Sequence, residues 1–144
     1  MQPAISDHAY EPTIGVIGPR GERCFDLKTP LDEGVMLCGG SDAIAGLFPN
    51  WRMAVQSAVT RRSGITGRVY SPELRVTVED AVRMFTINAV YQEGMEETRG
   101  SVEVGKVADF QVLDRDIFET PADEIGGIGV LMTMAGGKVV YEKQ

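Results

Sequence analysis

Histidine is nearly absent. The 144 residues carry one, His8, and no His-x-His pair stands anywhere in the chain. A catalytic zinc centre takes about three protein ligands, commonly imidazoles, so this chain alone is not expected to bind a metal stably. Cysteine is as scarce: Cys24 and Cys38 make no disulfide framework and fall at no chelating spacing with His8 or Asp42. No basic cluster exceeds Arg61-Arg62, and 14 Lys+Arg against 21 Asp+Glu give a formal charge of -7. Phosphate backbones would be repelled, which argues against nucleic acid as a partner. No apolar run approaches the roughly 20 residues that cross a bilayer, so no membrane partner is expected. The opening Met1 to His8 has neither the basic nor the apolar region of a secretory leader. A reduced, cytoplasmic setting is the expectation.

What is present reads as an ordered chain, with 43% apolar and 24% charged residues. Its length suits one ordinary domain and falls short of a complete (β/α)8 barrel, which needs about 250 residues. Pro3, Pro12, Gly15, Gly18, Pro19 and Gly21 punctuate residues 1–22, predicting irregular structure with at most a short strand over Thr13 to Ile17. Phe25, Leu27 and Leu31 suggest a helical turn or a short helix restarting at Pro30, closed by Gly34. Val35-Met36-Leu37-Cys38 is unbroken apolar sequence of the kind that forms a parallel strand, here over about 35–39.

Trp51, Ala54, Val55, Ala58 and Val59 fall on one helical face, predicting a helix over about 51–62 that starts near Pro49-Asn50. Thr77 and Asp80 have capping-box spacing. They open a second helix over about 78–91, with Ala81, Val82, Phe85 and Ala89 on its apolar face and Gly94 as its C-cap. Beyond Gly100 the pattern turns to strands: Phe110 to Leu113, then Val130 to Ala135 and Lys138 to Glu142 around a Gly136-Gly137 hairpin.

Asp42 is the leading chemical candidate, because a carboxylate just past a strand end is held by a rigid element and can ligate a metal or move a proton. Its plain alternative is to cap the turn that follows. His8, between Asp7 and Ala9, reads as a surface or loop residue. Cys38 reads as packing, and Cys24 has no legible role. Gly100, Gly105 and Lys106 lack P-loop spacing, so a tight turn with a solvated Lys106 is expected. Asp109 should tie its loop by hydrogen bonds to backbone N–H groups, and Met132 and Met134 should pack.

Cys38-Gly-Gly-Ser-Asp42 and, about sixty residues on, Gly100-Ser-Val-Glu-Val-Gly105-Lys106-Val-Ala108-Asp109 resemble the C-terminal part of the amidohydrolase superfamily, specifically its family 3 branch. Thr29 to Gly34, the Trp51 to Arg62 helix, Thr86, Asn88 and Ala89 within Thr77 to Tyr91, and the closing Gly136 to Tyr141 hairpin extend the resemblance in the same order. Gln2-Pro3 is similar to a pair near the preceding barrel strand. The resemblance implies an α/β fold. Residues 1–95 would be the last strand and helices of a (β/α)8 TIM-type barrel, and 96–144 the small antiparallel sheet of the family's accessory β domain.

It also implies metal-dependent hydrolysis of C–N bonds in a small-molecule amide-type substrate. A divalent metal, usually zinc, makes hydroxide from bound water near neutral pH. The residue matching Asp42 is both metal ligand and proton carrier, taking the water's proton and passing it to the leaving nitrogen. The family's other ligands have no counterpart here. The chain would then be the C-terminal portion of such an enzyme, and its unpaired strand edges would favour self-association. The alternatives are a non-catalytic truncated domain acting in assembly or partner binding, and an acidic scaffold without hydrolytic ancestry.

Overall fold

A computed structural model describes residues 2–42 and 50–144, excepting the side chains of Ala4 and Ile5. Pro49 and the turn after Asp42 lie outside the described residues. Five α-helices occur in chain order among them: α1 (Pro3–Ile17), α2 (Lys28–Asp32), α3 (Trp51–Thr60), α4 (Val78–Met84) and α5 (Ile87–Gln92). Three strands follow, β1 (Phe110–Leu113), β2 (Val130–Ala135) and β3 (Lys138–Glu142). Short 3-10 turns lie at Gly18–Arg23, Pro72–Leu74 and Ala122–Gly127. No described helix is long and apolar enough to cross a membrane.

α1 overturns the expectation of irregular structure at the start of the chain. Pro3 stands at the first helical positions, where its missing N–H costs nothing. Pro12, inside the helix, removes one hydrogen bond, and tertiary packing offsets the loss. Pro3, Ser6 and Tyr10 share the buried face. Tyr10 is fully buried, stacked 4.8 Å from Tyr70 and edge-on to Phe25 at 6.1 Å. The chain then folds back so closely that a Cβ on Gly21 would stand 2.7 Å from the Ile14 backbone nitrogen.

α3 starts where the Asn50 side chain accepts from the Arg52 N–H at 3.1 Å, an N-cap of the ordinary kind. It ends at Arg61, which adopts φ 50° and donates its N–H to Ser57 O at 2.9 Å. Val55, Ala58 and Val59 are buried in a core shared with Leu27, Val76, Ala81, Met84, Ile117, Ile125 and Ile128, and Ala54 is also fully buried. The 3-10 turn after Pro121 seats on α3 through Gly126 N–H to Gln56 Oε1 at 2.7 Å.

The second predicted helix is two. Thr77 Oγ caps α4 by accepting from Asp80 N–H at 3.0 Å, and it donates to the Asp80 carboxylate at 2.6 Å. Regular structure breaks at Phe85 and Thr86, whose hydroxyl turns back to Val82 O at 2.9 Å. Gly94, at φ 68°, closes α5 in the left-handed conformation with its N–H on Tyr91 O at 3.0 Å.

β1, β2 and β3 make an antiparallel sheet in sequence order, with Gln111 opposite Thr133 and Thr133 opposite Tyr141. Both pairings carry an irregularity, between Val112 and Leu113 and between Thr133 and Met134. The Gly136-Gly137 turn takes φ 56° and 75°, as a two-residue hairpin requires. Asp109 Oδ1 accepts from Gly136 N–H at 2.6 Å, and Ala108 O from Gly137 N–H at 3.1 Å, so Asp109 does tie its loop to the hairpin. Lys106 departs from the expected solvated state. Its ammonium donates to Ser101 Oγ at 2.7 Å and Glu103 Oε1 at 3.1 Å, and its side chain is 13% exposed.

The apolar run at 35–38 does not become a strand. A strand exists through its ladder partners, and among the described residues none pairs with this segment. It runs without regular structure past the α4–α5 break, with Val35 and Met36 half exposed.

Candidate active site

Asp42 follows residues 35–41, whose path is set by α2, α4 and α5. α2 ends as Gly34 takes φ 78° and Val35 N–H reaches Pro30 O at 2.9 Å. Three fastenings then come in succession. Leu37 O accepts from Asn88 Nδ2 at 3.0 Å, Cys38 Sγ donates to Asn88 O at 3.0 Å, and Gly39 N–H donates to Met84 O at 2.8 Å. Gly39 lies flat on Phe85, where a Cβ would stand 2.6 Å from Cζ. Only Gly40 and Ser41 separate this anchored stretch from Asp42, which is exposed and holds φ 48°. A left-handed backbone is uncommon for a residue with a side chain, although aspartate tolerates it better than most.

Two open hollows flank the segment. One, about 400 Å³, is lined by Met36, Leu37, Cys38, Tyr91 and Gln92. The other includes Leu31, Val35, Met36, Arg83 and Asn88. Both expose mainly apolar walls beside the segment.

His8 and Asp42 are not brought together as a ligand set. His8 lies on α1, not in a loop, and its half-exposed side chain stands with Nε2 3.4 Å from Asp7 Oδ2. Among the described residues no group of three or more His, Cys, Asp or Glu could hold a metal. The described donors therefore do not fit a complete metal centre. Cys24 sits beside Arg61, and burial pushes its thiol pKa up despite that positive charge. Such a thiol is a poor nucleophile at neutral pH.

Two residues, one beside this segment and one at the end of α3, organise their surroundings through contacts that local sequence does not signal. Asn88, buried on the short α5, bridges to the segment before Asp42 through its side chain and its main chain. Arg61, 2% exposed, donates to the carbonyls of Tyr70 at 2.8 Å, Phe25 at 2.9 Å, Cys24 at 3.0 Å and Glu22 at 3.1 Å. Its guanidinium carbon also stands 5.4 Å from the centre of the Tyr10 ring. Nearby, the Thr66 hydroxyl, with help from Ser63 and Tyr70, holds the Glu11 carboxyl down at about 2.

The family model of the amidohydrolase family matches residues 1–141. An "N-substituted formamide deformylase" of Arthrobacter pascens is 33% identical over 121 residues, which is 84% of this chain and 22% of that protein. A Bos taurus protein named "Probable imidazolonepropionase" is 34% identical over 135 residues, 89% of this chain and 29% of that one. The chain thus spans less than a third of the length of these curated relatives. In three dimensions it resembles the crystal structure of an amidohydrolase from Thermotoga maritima MSB8, with a TM-score of 0.58 at 19% identity. That likeness covers 78% of this chain and 24% of the other. With a family match over nearly its whole length, the chain belongs to the amidohydrolase family.

Proposed function

We propose that this chain is the C-terminal portion of a (β/α)8-barrel amidohydrolase that hydrolyses C–N bonds in small amide-type molecules, with Asp42 as its acid–base carboxylate. The observation that carries the reading is the triple anchoring of residues 37–39, which leaves an exposed carboxylate at the end of a fixed apolar segment. A barrel strand ending in a chemical group would be built this way. In the longer protein, neighbouring barrel strands would pair with 35–38 and cover the two hollows. The barrel part would end near residue 95, and β1 to β3 would join an accessory sheet.

Asp42 would take a proton from the attacking water and return it to nitrogen as the C–N bond breaks. A carboxylate placed for both transfers contributes about 10²- to 10⁴-fold to rate. A divalent metal, zinc by preference, would need its remaining ligands from polypeptide beyond these residues, with Asp42 as this chain's contribution. The names of the relatives support hydrolysis at a C–N bond and suggest the first compounds to try.

The test is Asp42→Asn in the full-length protein, assayed with N-substituted formamides and with imidazolonepropionate. Turnover should fall by about 10²-fold or more, with the circular dichroism spectrum and unfolding midpoint unchanged. Undiminished turnover by the variant would sink the assignment.

A further inference from the structure

From the contacts around α5 we infer that Asn88 is a positioning residue, which fixes the backbone register of 37–39 and thereby the place of the Asp42 carboxylate. This inference rests on the proposed role of Asp42. Asn88 is 8% exposed, and its amide donates to the main-chain oxygen of Leu37 at 3.0 Å. Its own main-chain oxygen accepts from the Cys38 thiol at 3.0 Å. One residue therefore grips two consecutive residues of the segment, from both sides of its own Cα.

The arrangement suits register selection. A one-residue slip would carry Leu37 O and Gly39 N–H away from the groups that hold them. Leu37 O and Gly39 N–H are held by groups on different elements, Asn88 on α5 and Met84 on α4. Both can be satisfied together in only one register. The helix break at Phe85 and Thr86 makes the grip possible. It brings the main chain of α5 to the segment while the Phe85 ring covers Gly39.

The experiment compares wild type, Asn88→Ala, Asp42→Asn and the double variant in the full-length protein. Hydrogen–deuterium exchange of the 37–42 peptide needs no substrate. In Asn88→Ala it should quicken about tenfold or more, as expected when an anchoring bond is lost and the segment opens locally, with exchange in the α3 peptide unchanged. Unchanged exchange over 37–42 would overturn the inference.

With an N-substituted formamide as substrate, Asn88→Ala should lower kcat about 10- to 100-fold and leave KM nearly constant, since misplacement by about 1 Å can cost that much. In the Asp42→Asn background it should cost little further. An equal loss in both backgrounds would mean that Asn88 does not act through Asp42. Faster exchange in Asn88→Ala together with full turnover by Asp42→Asn would instead sink the reading of Asp42, leaving Asn88 as a clamp on a segment without that chemistry.

Discussion

Arg61 and Asp42 share an uncommon backbone, with φ near 50° on a residue that is not glycine, yet the chain treats them differently. At Arg61 four carbonyls from two stretches of chain converge on one buried guanidinium, and an aromatic ring lies under it. The left-handed turn there ends α3, and the side chain that it aims inward more than offsets its conformational cost. Asp42 is exposed, and the fastenings that define its position lie three to five residues before it. Strain beside a dense set of contacts is explained by stability. Among the described residues no comparable cluster of contacts surrounds the exposed Asp42 carboxylate, and under the proposed role its backbone would be shaped for chemistry.

Breaking the first half of this contrast should have the largest effect. Arg61→Ala would orphan several buried carbonyls, each costing about 1–3 kcal/mol, so a loss of about 3 kcal/mol or more is expected in urea unfolding. Arg61→Lys should recover only part of it, because one ammonium cannot reach carbonyls arranged around a planar fork. Next comes Gly39→Ala, whose Cβ would collide with Phe85. A loss of about 1–3 kcal/mol is expected, as for overpacking elsewhere, and turnover should fall with it as the segment shifts.

The contrast sharpens with glycine at both left-handed positions. Asp42→Gly should leave stability unchanged or raise it by up to about 1 kcal/mol, by relieving the conformation, while abolishing turnover. Arg61→Gly should be strongly destabilised despite the same relief. A clear stability loss in Asp42→Gly would show the carboxylate to be a structural cap.

The smallest effect at neutral pH belongs to Glu11. Its folded pKa, about 2, lies below the ordinary 4.5, so the folded state favours the ionised form. Its stabilisation is complete above the unfolded value and is lost as pH falls from about 4.5 towards 2. Glu11→Gln should therefore flatten that limb of an unfolding-midpoint curve against pH.

The elements legible in the sequence are those whose pattern is local. α3 follows from its spacing of Trp51, Ala54, Val55, Ala58 and Val59, and the hairpin from two glycines able to take positive φ. Thr77 and Gly94 mark their helix ends as capping chemistry predicts. The misreadings arise where tertiary contacts outweigh local preference. α1 forms through two prolines because Tyr10 finds a buried aromatic partner sixty residues away. The burial of Arg61 has no local sign, since none of its carbonyl acceptors is identifiable from its neighbours in sequence. Lys106 is shielded by a serine and a glutamate of its own loop, a matter of loop shape. Asp42 stood out through the glycines before it, whereas the grip of Asn88 depends on a helix break that its apolar periodicity conceals.

The single tryptophan gives this architecture a built-in optical reporter. Trp51 opens α3, and its indole N–H donates to Gln111 on β1 at 3.0 Å. The fluorophore therefore sits at the seam between the first turn of α3 and the sheet, while the stacked pair Tyr10 and Tyr70 marks the Arg61 knot. Loosening of the sheet from α3 would redden the indole emission as water reaches the ring. Loss of the knot would register first in the tyrosine band, so the two ends of α3 announce their melting in different colours.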